Sequence, residues 1–231
     1  MSQTKTESRE LFDEHAHNYD ALIPRHIQSH YLEKRAAFLK NLLAGGRVLD
    51  AGCGTTVLME RIKREGYAVF GIDESLTMLK QSSSCKNLVL QGDLARLPYQ
   101  NETFDLVYSV AVFHHIGDAG RIAATLGEMA RITKKRGKIV IWDHNPRNPY
   151  WKFFMKKLPW DNHVHRLIGA REIRKGFESA GVSNVEVYLS GLVPDFARES
   201  QLGFWRRLER CVEKNILLRN FCAHHMVVGH K

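Results

Sequence analysis

Cysteine is scarce in this chain. Four residues, at 53, 85, 211 and 222 of 231, form no Cys-x-x-Cys pair and no dense framework. That usage suits a reducing cytoplasm and not a disulfide scaffold. No charge-free run approaches the ~18 apolar residues of a membrane span. The opening residues, Met1-Ser2-Gln3-Thr4-Lys5, lack the apolar core of a secretory signal. The expected location is therefore cytoplasmic. Internal repeats and low-complexity tracts are absent as well. What remains is enough sequence for one α/β domain with additions.

The most informative stretch is Gly46-Arg47-Val48-Leu49-Asp50-Ala51-Gly52-Cys53-Gly54. Val48 and Leu49 end a buried strand, Asp50 stands where it runs out, and Gly52 and Gly54 allow a tight turn close to a ligand. Val57 to Ile62 has helical apolar spacing. The third glycine of a dinucleotide fingerprint is missing, because Thr55, Thr56 and Val57 follow Gly54. A carboxylate beside the loop repels a pyrophosphate. It suits a ligand with a cationic near end, such as the ammonium and sulfonium of S-adenosyl-L-methionine (SAM). The segment resembles the D-x-G-x-G first motif of class I SAM-dependent methyltransferases.

A second strand, Ala68 to Ile72, ends in Asp73, 23 positions after Asp50. That offset is close to the one at which an acid meets a ribose, and a carboxylate accepts from both hydroxyls. A third strand is read at 87–91 and is followed by Gly92-Asp93-Leu94. A fourth, Phe104 to Ser109, continues toward Val110-Ala111-Val112-Phe113-His114-His115-Ile116. A helix over 119–133 is closed by Lys134-Lys135-Arg136-Gly137, and a fifth strand covers 138–143.

Over roughly residues 10 to 143, this ordered series is similar to the small-molecule and lipid type of that family, the type 11-like methyltransferase domain. The resemblance implies a Rossmann-like α/β fold: a seven-stranded sheet of order 3-2-1-4-5-7-6, the last strand antiparallel, with helices on both faces. It implies that SAM lies across strands one, two and four and leaves as S-adenosyl-L-homocysteine. Asp93 would then pair with the adenine amino group while Leu94 lines the ring. Ser109 joins Asp50, Gly52, Gly54 and Asp73 in the cofactor site.

Two additions frame the expected domain at 46–231. An arm over 1–45 carries Phe12, Ala16 and Tyr19 at helical spacing, with helix to about His17 and a second helix at 28–43. It resembles the Phe-Asp-x-x-Ala-x-x-Tyr-Asp entry of many small-molecule methyltransferases, which implies that Tyr19 touches the methionine part of SAM. Residues 144–168 and 191–220 are expected to be lids over the acceptor. In the first, Asn148 caps and Pro149 opens a short helix over 150–158 with a wide aromatic side and three lysines. A lid or core role is preferred there, with peripheral membrane contact as the other reading. In the second, a basic amphipathic helix over 199–218 carries Leu202, Trp205, Leu208, Val212 and Ile216. A helix at 170–181, a sixth strand at 185–189 and a final strand at 225–229 complete the chain.

Charge is uneven. Residues 1–130 carry a net charge of −2 and residues 131–231 one of +11. The basic half hints at an anionic group on the acceptor, although solvated lysines and arginines would give the same balance.

Methyl transfer is an in-line displacement that depends on alignment and on exclusion of water. It needs a general base only when the nucleophile starts protonated. His114, after strand four, and His144, after strand five, leave the sheet on the same edge and are the candidate catalytic residues. Hydrogen bonding to substrate and neutral packing are their other roles. No His, Asp or Glu spacing makes a convincing metal set. The expected function is methyl transfer to a small or lipid-like acceptor. Nucleic acid is disfavoured because Ser109-Val110-Ala111-Val112 stands where base methylases tend to carry an Asn/Asp-Pro-Pro-aromatic motif. The alternatives are an RNA or tRNA methyltransferase, or a SAM-binding sensor or subunit without catalysis.

Overall fold

The computed structural model describes residues 10, 12–82, 84–154 and 166–231. Pairs of consecutive apolar residues decide its architecture. Val48 and Leu49, Leu106 and Val107, and Ile139 and Val140 point to opposite faces of one sheet, and all six are buried. Strands covered on both faces belong to a parallel sheet with helices above and below.

The strands are β1 (Arg47–Ala51), β2 (Ala68–Asp73), β3 (Val89–Gln91), β4 (Phe104–Val110), β5 (Thr133–His144), β6 (Ser183–Ser190) and β7 (His224–His230). They lie in the order β3-β2-β1-β4-β5-β7-β6. The first five pair in parallel, and β7 runs antiparallel to both β5 and β6. The helices are α1 (Arg25–Leu42), α2 (Val57–Lys63), α3 (Leu76–Lys80), α4 (Ala119–Ile132), α5 (Pro149–Phe154), α6 (Ala170–Ser179) and α7 (Leu202–Lys214).

One face is packed by Ile122, Leu126 and Met129 of α4 with Ile173 and Phe177 of α6. The other is packed by Ala36 and Leu39 of α1 with Met59 and Ile62 of α2. A small third cluster joins Ile27 and Tyr31 of α1 to Val193 and Ala197, with Leu202 and Trp205 against it. Among the described residues no helix is long and apolar enough to cross a membrane.

Several boundaries differ from the sequence reading. Residues 134–137 do not follow a helix stop but lie inside β5, which begins at Thr133 directly after α4. Thr133 Oγ1 donates back to Met129 O at 2.6 Å, and Thr133 pairs with Phe104. Arg136, at φ 64°, bends the strand there. Residues 86–88 form a 3-10 turn, so β3 starts at Val89. Strand four stops at Val110 because Ala111 is left-handed (φ 57°), and a single 3-10 turn, Phe113–His115, follows.

The arm leaves helix earlier than expected and makes a 3-10 turn over Ala16–Ala21. The helix read at 199–218 ends at Lys214, where Asn215 Oδ1 accepts from the amides of Leu217 (3.0 Å) and Leu218 (3.1 Å). Ile216 therefore stands outside the helix and exposed. Part of the helix expected at 150–158 lies outside the described residues.

Candidate active site

A cavity of about 820 Å³ opens at the C-terminal ends of β1, β2, β4 and β5, where ligands sit in open α/β sheets. Its wall includes Tyr19, Asp50, Gly52, Gly54, Asp73, Leu94, His114 and His144. Eight of the ten residues singled out from sequence thus meet in one space. Asp93 and Ser109 are not part of that lining. The Asp93 carboxylate accepts from Arg121 Nη2 (2.9 Å) and from the Ala95 amide (2.9 Å). Ser109 is buried in β4, with its hydroxyl donating to Ala51 O at 2.7 Å.

The glycine loop is shaped by contact with the chain that follows β4. Gly52 has φ +88°, and a Cβ there would meet Val112 Cγ2 at 2.4 Å. Asp73 anchors the loop, accepting from the amides of Gly54 (2.8 Å) and Ser75 (2.9 Å). Burial pushes its carboxyl up, and those amides oppose the shift. The Glu74 amide bonds it as well, and because a carboxylate has about four acceptor positions, room is left for a ribose hydroxyl. The arm closes over this loop through Thr55 Oγ1 donating to Asp20 (2.9 Å) and Ser75 Oγ donating to Asp13.

Two charges in the cavity lack their complements. Asp50 has no basic group within ion-pair distance among the described residues. Burial pushes its carboxyl up to about 7, Asp73 adds to the shift, and the Tyr108 hydroxyl and Arg35 oppose it. Arg35, from α1, lies over the rings of Tyr31 (6.0 Å) and Trp142 (5.9 Å), and its buried Nε has no hydrogen-bond partner. A ligand bearing an ammonium and a carboxylate on one carbon complements both groups, as the amino-acid end of SAM does. The residues therefore fit SAM: Asp50 and Arg35 would hold its zwitterionic end and Asp73 its ribose.

Across the cavity stands a histidine cluster. His114 Nδ1 lies 2.6 Å from Asp143 Oδ1, both residues being buried. Asp143 also accepts from the backbone amides of His114 (3.2 Å) and His144 (2.6 Å). Burial alone would raise its carboxyl, but the charge and hydrogen bond of His114 hold it well below the usual range. The rings of His115, His114 and His144 follow one another at 4.0 and 4.2 Å, and His144 stacks on Trp151 at 3.8 Å. β7 pairs His224 with His144. Burial, with His114 next, pushes the His144 imidazole far below its ordinary value. His224 falls to about 3, through burial first and then Arg35. Both are neutral at physiological pH.

The loop after β5 is clamped to the end of the 191–223 segment. Asn145 Nδ2 donates to Asn220 O and Cys222 O (2.9 Å each), Asn148 Nδ2 donates to Phe221 O (2.7 Å), and Trp151 Nε1 donates to Ala223 O. Asn148 Oδ1 accepts the Tyr150 amide at 2.8 Å, which caps α5. Arg35, Asp143, Trp151 and His224 were not singled out from sequence. Two of them left a signal there: Asp143 as the acid ending a strand beside His144, and Trp151 as part of the aromatic side of the helix expected in the lid.

The family profile described as "Methyltransferase domain" matches residues 49–141, from β1 into β5. A demethylmenaquinone methyltransferase of Corynebacterium urealyticum is 31% identical over 157 residues, 64% of this chain and 67% of that protein. A tRNA (carboxymethyluridine(34)-5-O)-methyltransferase of Arabidopsis thaliana is 33% identical over 125 residues, 53% of this chain and 30% of that protein. The chain spans about a third of the length of the tRNA methyltransferase relatives it matches. A crystal structure of a SAM-dependent methyltransferase from Thermotoga maritima shares the fold, with a TM-score of 0.73. Its identity is 19%, and the match covers 97% of this chain and 99% of that one. The chain belongs to the class I SAM-dependent methyltransferases.

Proposed function

We propose that the chain methylates a hydroxyl oxygen of a small or lipid-like acceptor, with His114 as general base. The observation that carries this reading is the 2.6 Å contact between His114 Nδ1 and Asp143 inside the cavity. A carboxylate on Nδ1–H fixes the tautomer, keeps the lone pair on Nε2 and stabilises the imidazolium once formed. SAM supplies an electrophilic methyl on a sulfonium. As the oxygen–methyl bond formed and the sulfur–methyl bond broke, releasing S-adenosyl-L-homocysteine, His114 would take the acceptor proton at Nε2 and Asp143 would balance the new positive charge. Asp50, Arg35 and Asp73 bind the cofactor, while Leu94 and Tyr19 flank it.

Trp151 stacked on the neutral ring of His144, with Tyr31 edge-on to the neutral ring of His224, makes an aromatic, weakly polar wall suited to a ring-bearing acceptor. The Corynebacterium relative is named for a quinone acceptor, which is in keeping with such a wall. The basic second half supports an anionic group on the acceptor. All four cysteines are free, in keeping with a cytoplasmic setting.

A tRNA acceptor is the second reading. It is favoured by the name of the Arabidopsis relative and by the net charge of +11 over residues 131–231. Purified chain, methyl-labelled SAM and host-cell extract separate these readings once lipid, small polar, RNA and protein fractions are resolved. Label in the lipid or small-molecule fraction that disappears with His114→Ala supports the proposal. Label confined to RNA overturns it in favour of tRNA. SAM binding without transfer, even in a single turnover, points to a sensor.

A further inference from the structure

The segment between β6 and β7 keeps much apolar surface in solvent. Of the twelve large hydrophobic residues exposed among the described residues, seven fall within 196–221: Phe196, Phe204, Leu208, Ile216, Leu217, Leu218 and Phe221. Phe196 and Phe221 also line the cavity, yet they are 74% and 52% exposed. They form its rim, where the interior meets the surface. Ile216 and Leu217, 68% and 77% exposed, continue the apolar surface beside Phe221.

From Leu202 onward the charges of the segment are sorted by sign, and Glu199, ahead of α7, is its one exposed acid. Glu209 and Glu213 of α7 turn inward. Glu209 meets Lys34 (2.7 Å) and His30 (3.0 Å), and Glu213 meets Lys34 (2.5 Å) and the Ser190 hydroxyl (2.8 Å). Arg207, Arg210, Lys214 and Arg219 are exposed. The outer side of the segment is therefore cationic, and apolar side chains are interleaved with the cations. An acid on that side would oppose an anionic surface, but the two acids of α7 are already engaged with α1.

We infer that the 196–221 surface around the cavity mouth docks on an anionic lipid bilayer. Apolar side chains enter the acyl boundary while Arg and Lys meet the headgroups, the division of labour seen in interfacial helices. Phosphate recognition on RNA would use the cations but gives no role to Ile216, Leu217 and Phe221. The proposal rests on the methyltransferase reading only in giving the mouth a purpose, which is to admit a lipid-like acceptor directly from the membrane.

The test is co-sedimentation of the purified full chain with phosphatidylcholine vesicles, with and without about a third phosphatidylglycerol, at low and high salt. The wild-type chain should sediment with the anionic vesicles, at least tenfold more than with neutral ones, and release with salt. The double variant Ile216→Ser/Leu217→Ser should lower partition at least tenfold. Arg207→Gln/Arg210→Gln should lower it about fivefold per charge and flatten the salt dependence. Neither pair lines the cavity, so SAM binding by calorimetry on the same samples should be unchanged.

No sedimentation of a chain that binds SAM overturns the docking proposal and leaves the cofactor reading standing. Sedimentation without SAM binding does the reverse. Total tRNA bound equally by wild type and Ile216→Ser/Leu217→Ser, without vesicle binding, would assign the surface to RNA. A dimer in solution that the same variant dissociates, again without vesicle binding, would assign it to a second copy of the chain.

Discussion

Asp143 grips His114 twice, at 2.6 Å to ring Nδ1 and 3.2 Å to the backbone nitrogen. The two residues come from neighbouring strands, His114 from the turn after β4 and Asp143 from β5. Both contacts fix the imidazole relative to the sheet and not merely to its own loop. Asp143→Asn preserves shape but removes the charge that stabilises an imidazolium. Turnover should fall ~10²-fold or more, with SAM affinity within about twofold of wild type. Steady-state kinetics and calorimetry on one preparation check this, and an unchanged kcat removes His114 from proton transfer.

Asp73→Ala should weaken SAM binding at least tenfold by deleting a charge-assisted acceptor for a ribose hydroxyl. The same change removes the acceptor for the Gly54 and Ser75 amides, so loop order must be measured too. Asp73→Asn keeps one acceptor and should fall between the two. Equal affinity for all three chains would overturn the ribose assignment.

The raised carboxyl of Asp50 gives SAM binding a pH dependence of known sign. Folding leaves Asp50 half protonated near pH 7. A bound ammonium favours the ionised form, so affinity should rise as pH increases from 6 to 8 through that value, by up to about tenfold per unit below it. Asp50→Asn should bind more weakly and lose the dependence. Calorimetric titrations at several pH values read both effects.

Arg35 is separable from Asp50 by ligand. Arg35→Gln should raise the Kd for SAM about tenfold or more. It should leave the affinity for 5′-methylthioadenosine, which lacks the amino-acid end, unchanged. An unaltered Kd for SAM with a raised acceptor KM would move Arg35 to acceptor recognition.

Glu209 ties α7 to α1. Burial would raise its carboxyl, but His30 and Lys34 hold it at about 2. A depressed carboxyl stabilises the fold above its unfolded value near 4 and loses that contribution as pH falls toward 2. Glu209→Ala should cost ~3 kcal/mol at pH 7. It should cost little at the acid end, as read by urea unfolding at both.

The parts of this architecture that were legible in the sequence are those where chemistry and position coincide. Val48-Leu49 and Leu106-Val107 read as doubly buried strands because both residues of each pair are apolar. Asp50 and Asp73 read as ligand acids because each ends such a run. Lys134 to Gly137 imitated a helix terminus, since cations and glycine are the usual stop. The register of Thr133 on Phe104 extended β5 through them instead. Arg35 was invisible because a cation every few residues is ordinary on a helix, and only the packing of α1 shows that this one faces inward. His224 could be matched with His144 only after the antiparallel register was known.

β6 is joined to the sheet solely through β7, and β7 follows every other strand in the chain. While a ribosome is still making residues 224–230, the outer edge of β5 and the whole of β6 have no partner. His224 is the first residue of the missing strand, so the histidine wall also lacks a member until then. The glycine loop and its two acids, by contrast, depend on strands that emerge more than a hundred residues earlier. Synthesis thus delivers the cofactor half of the cleft long before the half that selects what is methylated, and a stalled chain exposes sheet edges open to mispairing.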